Sequence, residues 1–321
     1  MKYALRSMVA LVLGLMMGGV VGAAEPNKPV RLVVAFPPGG TADMLARLIQ
    51  IPLQQQLGNT VVVENRAGAQ GVIGASAVAR ADADGSTYVV VADSYGTSPG
   101  ILESMPFDAK HDLTGVAMLA TSPVLISTAK NSPIANFEAM LQQGRQDGDL
   151  LYGTYGTGSL AHLAMAALAK EAGISATHIP YKGGGPLMIA ALAGEVPVAL
   201  GTYALTAAHL SSGGLRPLVV LGKERFASLP DVPASGERQL VAEPVQGWFA
   251  LLAPARTDTA ILDRMHEAVQ QALSAPNVRE AFARAGLSNP ATDRKDMDAF
   301  LHEEIGRWSK VARQTGIKAG G

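Results

Sequence analysis

The chain contains no cysteine. That excludes a disulfide framework, a thiol nucleophile and a Cys-ligated metal centre. Histidines number six and show no metal-ligand spacing, so no metal site and no cofactor site is expected. A surplus of basic charge is also missing, with 26 Lys and Arg against 27 Asp and Glu. A nucleic-acid partner is therefore not expected. Aromatic residues make up only 5%, while alanine and glycine are plentiful, which suits close packing of helices on sheets. Long apolar runs are confined to the first residues. Val9 to Val21 follows the basic Lys2 and Arg6 and precedes Gly22-Ala23-Ala24. This is the pattern of a secretory signal peptide cut after Ala24, too short for a comfortable membrane span. The expected location is the periplasm. Without residues 1–24 the chain keeps 297 residues, enough for two domains. It also keeps 24 basic against 27 acidic side chains. With no disulfide available after export, the apolar cores must carry the stability.

What is present begins with Arg31-Leu-Val-Val-Ala-Phe36-Pro37-Pro38-Gly39-Gly40-Thr41-Ala42-Asp43. The apolar, β-branched run predicts a buried strand. Pro37-Pro38 ends it, because neither proline can donate to a ladder. Gly39-Gly40 permits a tight turn and close approach to the backbone. Leu45, Leu48 and Ile49 then fall at helical spacing, with Gly40 or Thr41 at the cap. Strand, glycine turn and helix start together make an anion seat, with free N–H groups and the positive end of the helix dipole. The other reading of Pro-Pro-Gly-Gly is a plain turn.

Further along, strands are predicted at Thr60–Glu64 and Thr87–Ala92, with a helix at Val72–Ala81 between them. Asp93 to Thr97 leaves the C-terminal end of the third strand, the usual edge for ligand sites in open α/β sheets. The β-α-β-α-β order implies a parallel sheet with right-handed crossovers. Two strands, Val116–Ala120 and Val124–Thr128, are separated by Thr121-Ser122-Pro123. A second alternating series follows, with helices at Phe137–Arg145, Ser159–Ala172, Pro186–Ala193 and Tyr203–Ser211. Its strands are Leu150–Gly153, Thr177–Pro180, Val196–Leu200 and Leu215–Leu221. After a proline-rich return come a strand at Phe249–Ala253 and helices at Asp258–Leu273, Pro276–Ala285 and Lys295–Gln314. The helical tail is expected to pack back on the first sheet. Two chain crossings then arise, near Thr121–Pro123 and near Pro244–Gly247. The expected fold is α/β, two lobes of mainly parallel sheet flanked by helices and joined by a two-strand hinge around a cleft. One domain comprises residues 25–122 with 247–321, the other residues 123–246.

The second series repeats the device of the first. Tyr152-Gly153-Thr154-Tyr155-Gly156-Thr157-Gly158-Ser159 follows a strand and opens a helix. Two such seats would hold an anion without any basic side chain. Several further motifs accompany them. They include Val63-Glu-Asn-Arg-Ala-Gly68, Asp84-Gly-Ser-Thr-Tyr88, His178-Ile-Pro-Tyr-Lys-Gly-Gly-Gly-Pro186, Leu229-Pro-Asp-Val-Pro233 and Trp248-Phe-Ala-Leu-Leu-Ala-Pro254. In number and order these resemble the extracytoplasmic solute receptors of the tripartite tricarboxylate transporter system, the Bug proteins. The resemblance covers essentially all of the chain after the leader.

It implies a type II periplasmic binding-protein fold, a monomer, and a small carboxylate ligand passed to the membrane subunits of a transporter. The alternative is a receptor that presents the carboxylate to a signalling partner. Carried over to this chain, the first ligand loop supplies Phe36, Pro38, Gly39, Gly40, Thr41 and Asp43. The second supplies Thr154, Gly156, Thr157, Gly158 and Ser159, and Ser94 is added from the end of the third strand. One departure concerns ligand choice: Gly201 stands where the family often has an acid, which disfavours amino-acid ligands.

An enzyme is not expected. Ser159 and His162 lie three apart on one helix, without the strained elbow and orienting acid of hydrolases. Asp43 reads either as a first-turn acid or as a residue that orders water in the pocket. Arg66 is read as a surface partner of Glu64, Trp248 as hinge packing, and Gly183–Gly185 as a turn and cap.

Overall fold

The computed structural model describes residues 28–146, 149–241 and 245–319. The expected leader and its cleavage site lie outside them, as does Pro244. The elements run β1 (Val30–Val34), α1 (Thr41–Leu57), β2 (Val61–Asn65), a 3-10 turn (Ala69–Gly71), α2 (Val72–Ala79), β3 (Thr87–Ala92) and α3 (Ser94–Ile101). Then follow β4 (Leu113–Ala129), α4 (Phe137–Gln146), β5 (Leu150–Thr154), α5 (Leu160–Ala172), β6 (Ala176–Pro180), α6 (Gly184–Ala193), β7 (Val198–Thr202), α7 (Tyr203–Ser211) and β8 (Leu215–Val220). A 3-10 turn (Ser235–Arg238), β9 (Gln246–Pro254), α8 (Thr259–Leu273), α9 (Pro276–Ala285) and α10 (Arg294–Thr315) complete the described chain.

The strands pair in the order β2-β1-β3-β9-β4-β7-β5-β6, with β8 also on β4. In the first half β1, β2 and β3 are parallel, and β9 runs antiparallel to β3. In the second half β5, β6 and β7 are parallel. Both faces of the first half are buried, and successive residues of one strand serve different cores. Leu32 and Val34 join Leu45, Ile49 and Val269 on one side. Val33 and Ala35 join Val72, Leu301 and Ile305 on the other. This is why its strands are continuous apolar runs rather than alternating ones. The two half-sheets, each flanked by helices, are joined through β4 and its partners β9 and β7.

Three features differ from the sequence reading. First, the two strands expected around Thr121-Ser122-Pro123 are one strand, β4, of 17 residues. Pro123 is tolerated because it sits at a handover. Pairing with β9 ends at Pro123↔Gln246, and pairing with β7 begins at Val124↔Thr202. Second, the segment after β3, where no element is expected from sequence, is helix α3. Gly96 and Gly100 are packing sites within it. A Cβ on Gly100 would lie 2.6 Å from the Ser309 Cα, and one on Gly96 would lie 3.2 Å from the Glu304 Cβ. Third, α10 serves both halves. Met297, Leu301 and Ile305 fill the first core, while Trp308 and Ala312 fill the second. The tail does pack back on the first sheet, through α8 and the first half of α10, but it continues past it.

Candidate functional site

The first loop runs from Phe36 to Gly40, between β1 and α1. Gly39 has φ +83, a conformation that favours glycine. Gly40 is the N-cap of α1 and offers no side chain to the first-turn amides. Those amides have no partner within the helix, so this end of α1 is open to an anion. Asp43 does not face that opening as a free charge. It is 4% exposed. Its carboxylate accepts from the Gly39 N–H at 3.0 Å, from Asn65 Nδ2 at 2.9 Å and from Arg47 Nε at 3.0 Å. The Arg47 bond, helped by those of Gly39 and Asn65, holds its pKa down at about 2 against the desolvation of burial. Asn65 Nδ2 also donates to the Phe36 carbonyl at 3.1 Å. Asp43 and Asn65 therefore clamp the loop from behind, and Asp43 has the structural role rather than that of an anion contact.

Removing that clamp has a predicted cost. The depressed pKa means that Asp43 stabilises the fold above its unfolded value near 3.8, and loses that contribution as pH falls through about 2. Asp43→Asn should cost about 1–2 kcal/mol at neutral pH. The gap from the parent should close progressively between pH 4 and pH 2. Denaturant melts at several pH values measure it, and a gap that stays constant would refute this role.

The second loop follows β5. Thr154 is fully buried, and its hydroxyl is the hub of the turn. It donates to the Gly156 carbonyl at 3.1 Å, lies 2.8 Å from His178 Nε2, and accepts from the Ser159 hydroxyl at 3.3 Å. Ser159 caps α5 by accepting from the His162 backbone N–H at 3.3 Å. Gly158, at φ +72, donates its N–H to His162 Nδ1 at 3.0 Å. His162 is thus held with Nδ1 bare. It stacks on His178 with ring centroids 3.7 Å apart. Burial pushes both imidazoles down to about 4, so they are neutral at physiological pH. Ser159 and His162 are not a nucleophile and base, because the imidazole bonds a backbone amide and the hydroxyl bonds Thr154. Thr154 and Ser159 shape this seat. Gly156, Thr157 and Gly158 form its backbone.

Ser94 and Gln70 connect the two loops. Gln70 lies in the 3-10 turn with φ 56. Its carbonyl accepts from the Ser94 hydroxyl at 2.7 Å, and its Nε2 donates to the Thr157 carbonyl at 2.6 Å. Gly158 packs against the end of α3, since a Cβ there would lie 2.1 Å from Ile101 Cδ1. Beneath this bridge Phe36, Gln70, Ser94 and Ser98 line a cavity of about 10 Å³. The loop from Asn65 to Gly71 carries both Gln70 and Asn65, and no residue of it was picked out as functional from sequence. Its signal was Gly68 and Gly71, which flank the left-handed Ala69 and Gln70. The remaining assignments fall where they were read. Arg66 pairs with Glu64 at 2.6 Å. Trp248 is buried at the crossing. Gly183, at φ +99, caps α6.

Comparison with known proteins bears on this geometry. The protein is 34% identical over 299 residues to Protein BugT of Bordetella pertussis, covering 91% of each chain. Among solved structures it is similar to MatC of Rhodopseudomonas palustris with bound malate. That match has a TM-score of 0.79 and 29% identity, over 89% of this chain and 99% of that one. It is also similar to an R. palustris protein with adipate, at a TM-score of 0.80 and 31% identity, over 92% of this chain and 99% of that one. The fold is shared with the periplasmic binding protein BugD, at a TM-score of 0.79 and 26% identity, over 91% of this chain and 99% of that one. Residues 45–317 match the family described as tripartite tricarboxylate transporter family receptor, and the chain belongs to that family.

Proposed function

We propose that this protein captures a small carboxylate in the cleft between its two lobes and delivers it to the membrane subunits of a tripartite tricarboxylate-type transporter. One observation carries the reading: two strand–glycine turn–helix starts, joined by Gln70, with the amides of α1 uncapped. Backbone N–H groups and helix dipoles recognise the carboxylate, so no basic side chain is required. Malate and adipate in related structures support the ligand class. The lobes divide into residues 25–122 with 247–321, and residues 123–246. They close by flexing where β4 and β9 cross. Phe36, Pro38, Gly39, Gly40 and Thr41 take one side of the ligand, and Gly156, Thr157 and Gly158 take the other through the Thr157 amide, since the Gly156 and Gly158 N–H groups bond Thr154 and His162. Export removes residues 1–24.

The test uses protein recovered from the periplasm, whose first residue is expected to be Glu25, freed of co-purified solute by unfolding and refolding. Binding to the folded state alone stabilises by about 2.7 kcal/mol at a hundredfold excess over Kd. In a chain of this size that raises the melting midpoint on the order of 5 °C. A panel of di-, tri- and aromatic carboxylates should contain at least one such ligand, and its amide should give almost no shift. An amide as effective as its acid would overturn the reading.

A further inference from the structure

We propose that the cavity between α8, α9 and residues 286–291 is a second ligand site, one that takes a monocarboxylate with an apolar body. It lies apart from the two glycine turns and does not rest on the carboxylate reading above.

The cavity is made by the way α9 ends. Gly286, at φ +61, closes that helix. The Leu287 N–H donates to the Phe282 carbonyl at 3.0 Å, and the Gly286 N–H to the Ala283 carbonyl at 3.4 Å. This pair of bonds turns the chain back and brings Leu287 toward Phe282. The residues that follow are fixed to β4. Thr121 and Ser288 exchange backbone bonds at 2.7 and 3.0 Å. Asn289 Nδ2 donates to the Met118 carbonyl at 3.4 Å, and its Oδ1 accepts from the Ala291 N–H at 2.6 Å. The walls are therefore held by the protein's own bonds. They enclose about 430 Å³, within the range of about 300–1,000 Å³ usual for small-molecule sites. No residue of the two ligand loops lines this space.

The lining divides by chemistry. Leu273, Phe282 and Leu287 are buried members of the first core and give the cavity an apolar side. Arg279 lies three residues before Phe282 and four before Ala283, so the three share one face of α9, and all of them line the cavity. Among the described residues the Arg279 guanidinium has no hydrogen-bond or ion-pair partner, whereas Arg284 on the same helix pairs with Glu280 at 3.8 Å. Gln270 adds an amide whose Nε2 is buried and without a partner. No bond fixes that amide, and its last torsion is soft, so it is free to turn its N–H toward an occupant.

This donor set narrows the occupant. A carboxylate meets a lone guanidinium with two parallel charge-assisted bonds. An apolar body takes the place of water against Leu273, Phe282 and Leu287. A neutral head gives up the charge-assisted bonds. A second carboxylate at the far end of the molecule would lie on the apolar side with nothing to pair it, which is costly. The class is thus a single-headed acid.

Isothermal titration of the full exported chain with octanoate tests the site. Octanamide is the arm without charge, and suberate, the eight-carbon diacid, is the arm with a second one. Octanoate should bind at one site, in the parent and equally in Gly40→Val, where the seat at α1 is blocked. Octanamide and suberate should bind there tenfold or more weaker. Arg279→Ala should weaken octanoate tenfold or more. Ala283→Trp fills the cavity and should abolish binding. Both positions are exposed, so the melting midpoints of these variants should stay near the parent's, and loss of fold does not imitate loss of the site. Failure of octanoate to bind, octanamide binding as tightly as octanoate, or an affinity unchanged in both Arg279→Ala and Ala283→Trp would overturn the proposal. Binding that disappears in Gly40→Val and survives Ala283→Trp would make octanoate a ligand of the cleft, and would also overturn it. The Arg279 and Ala283 variants are read against the parent itself, so failure of the cleft reading leaves their result standing.

Discussion

Gly40→Val should abolish carboxylate binding while leaving the unliganded melting midpoint within a degree or two of the parent. The backbone at Gly40 has φ −82 and ψ 172, extended values open to any residue. A Cβ there meets only the Pro37 carbonyl oxygen, at 3.7 Å. Glycine at this N-cap gives α1 no side-chain bond to lose. The substitution therefore costs the fold little. Its bulk falls over the first-turn amides, where close approach of an anion depends on the missing side chain. Gly158→Val serves as the contrast. Its φ of +72 makes any side chain strained, by about 1–3 kcal/mol. Its Cβ would also collide with Ile101, which belongs to the second core. That variant should lose stability and binding together. Thermal melts with and without the best acid of the panel separate the two cases. If Gly40→Val binds at parental affinity, the glycines are turns only and the anion seat is not at α1.

That contrast was only partly legible in the sequence. The glycine turns themselves were plain, because proline, glycine and the onset of helical spacing are local signals. Both-face burial was plain too, since strands such as β3 are apolar throughout. What could not be read was what each glycine faces. Gly40 and Gly158 look alike in the chain, yet one opens on space and the other on Ile101, more than fifty residues earlier. The continuity of β4 was hidden for a similar reason. Pro123 breaks a strand only where a donor is required, and the handover from β9 to β7 is a tertiary fact. Asp43 shows the limit on chemistry. A first-turn acid was visible, but its engagement by Arg47, Asn65 and Gly39 depends on β2 lying beside β1. Gln70 was missed because glutamine in a left-handed turn has no local reason to be there. Its reason is the Thr157 carbonyl of the second loop. Ser159 and His162 were legible as non-catalytic, since a helix-borne pair lacks an elbow and an orienting acid, and they serve as a cap and a brace.

Glu304→Ala should be the most damaging single substitution away from the ligand. Glu304 lies on α10, is 7% exposed, and accepts both from Trp248 Nε1 at 2.9 Å and from Trp308 Nε1 at 3.0 Å. Trp248 sits on β9 at the crossing, and Trp308 belongs to the core of the second lobe. One carboxylate thus ties β9 to the helix that spans both cores. Alanine leaves two buried indole N–H groups without an acceptor, at about 1–3 kcal/mol each, and opens a cavity beside Gly96. A total of about 3–5 kcal/mol follows, a fall in melting midpoint on the order of 10 °C. Glu304→Gln retains one acceptor oxygen in the same place and should lose well under half as much. Calorimetry of the two variants decides the point. A Glu304→Ala protein that melts with the parent would mean that both indoles find other acceptors, and that the joining of β9 to α10 does not depend on this carboxylate.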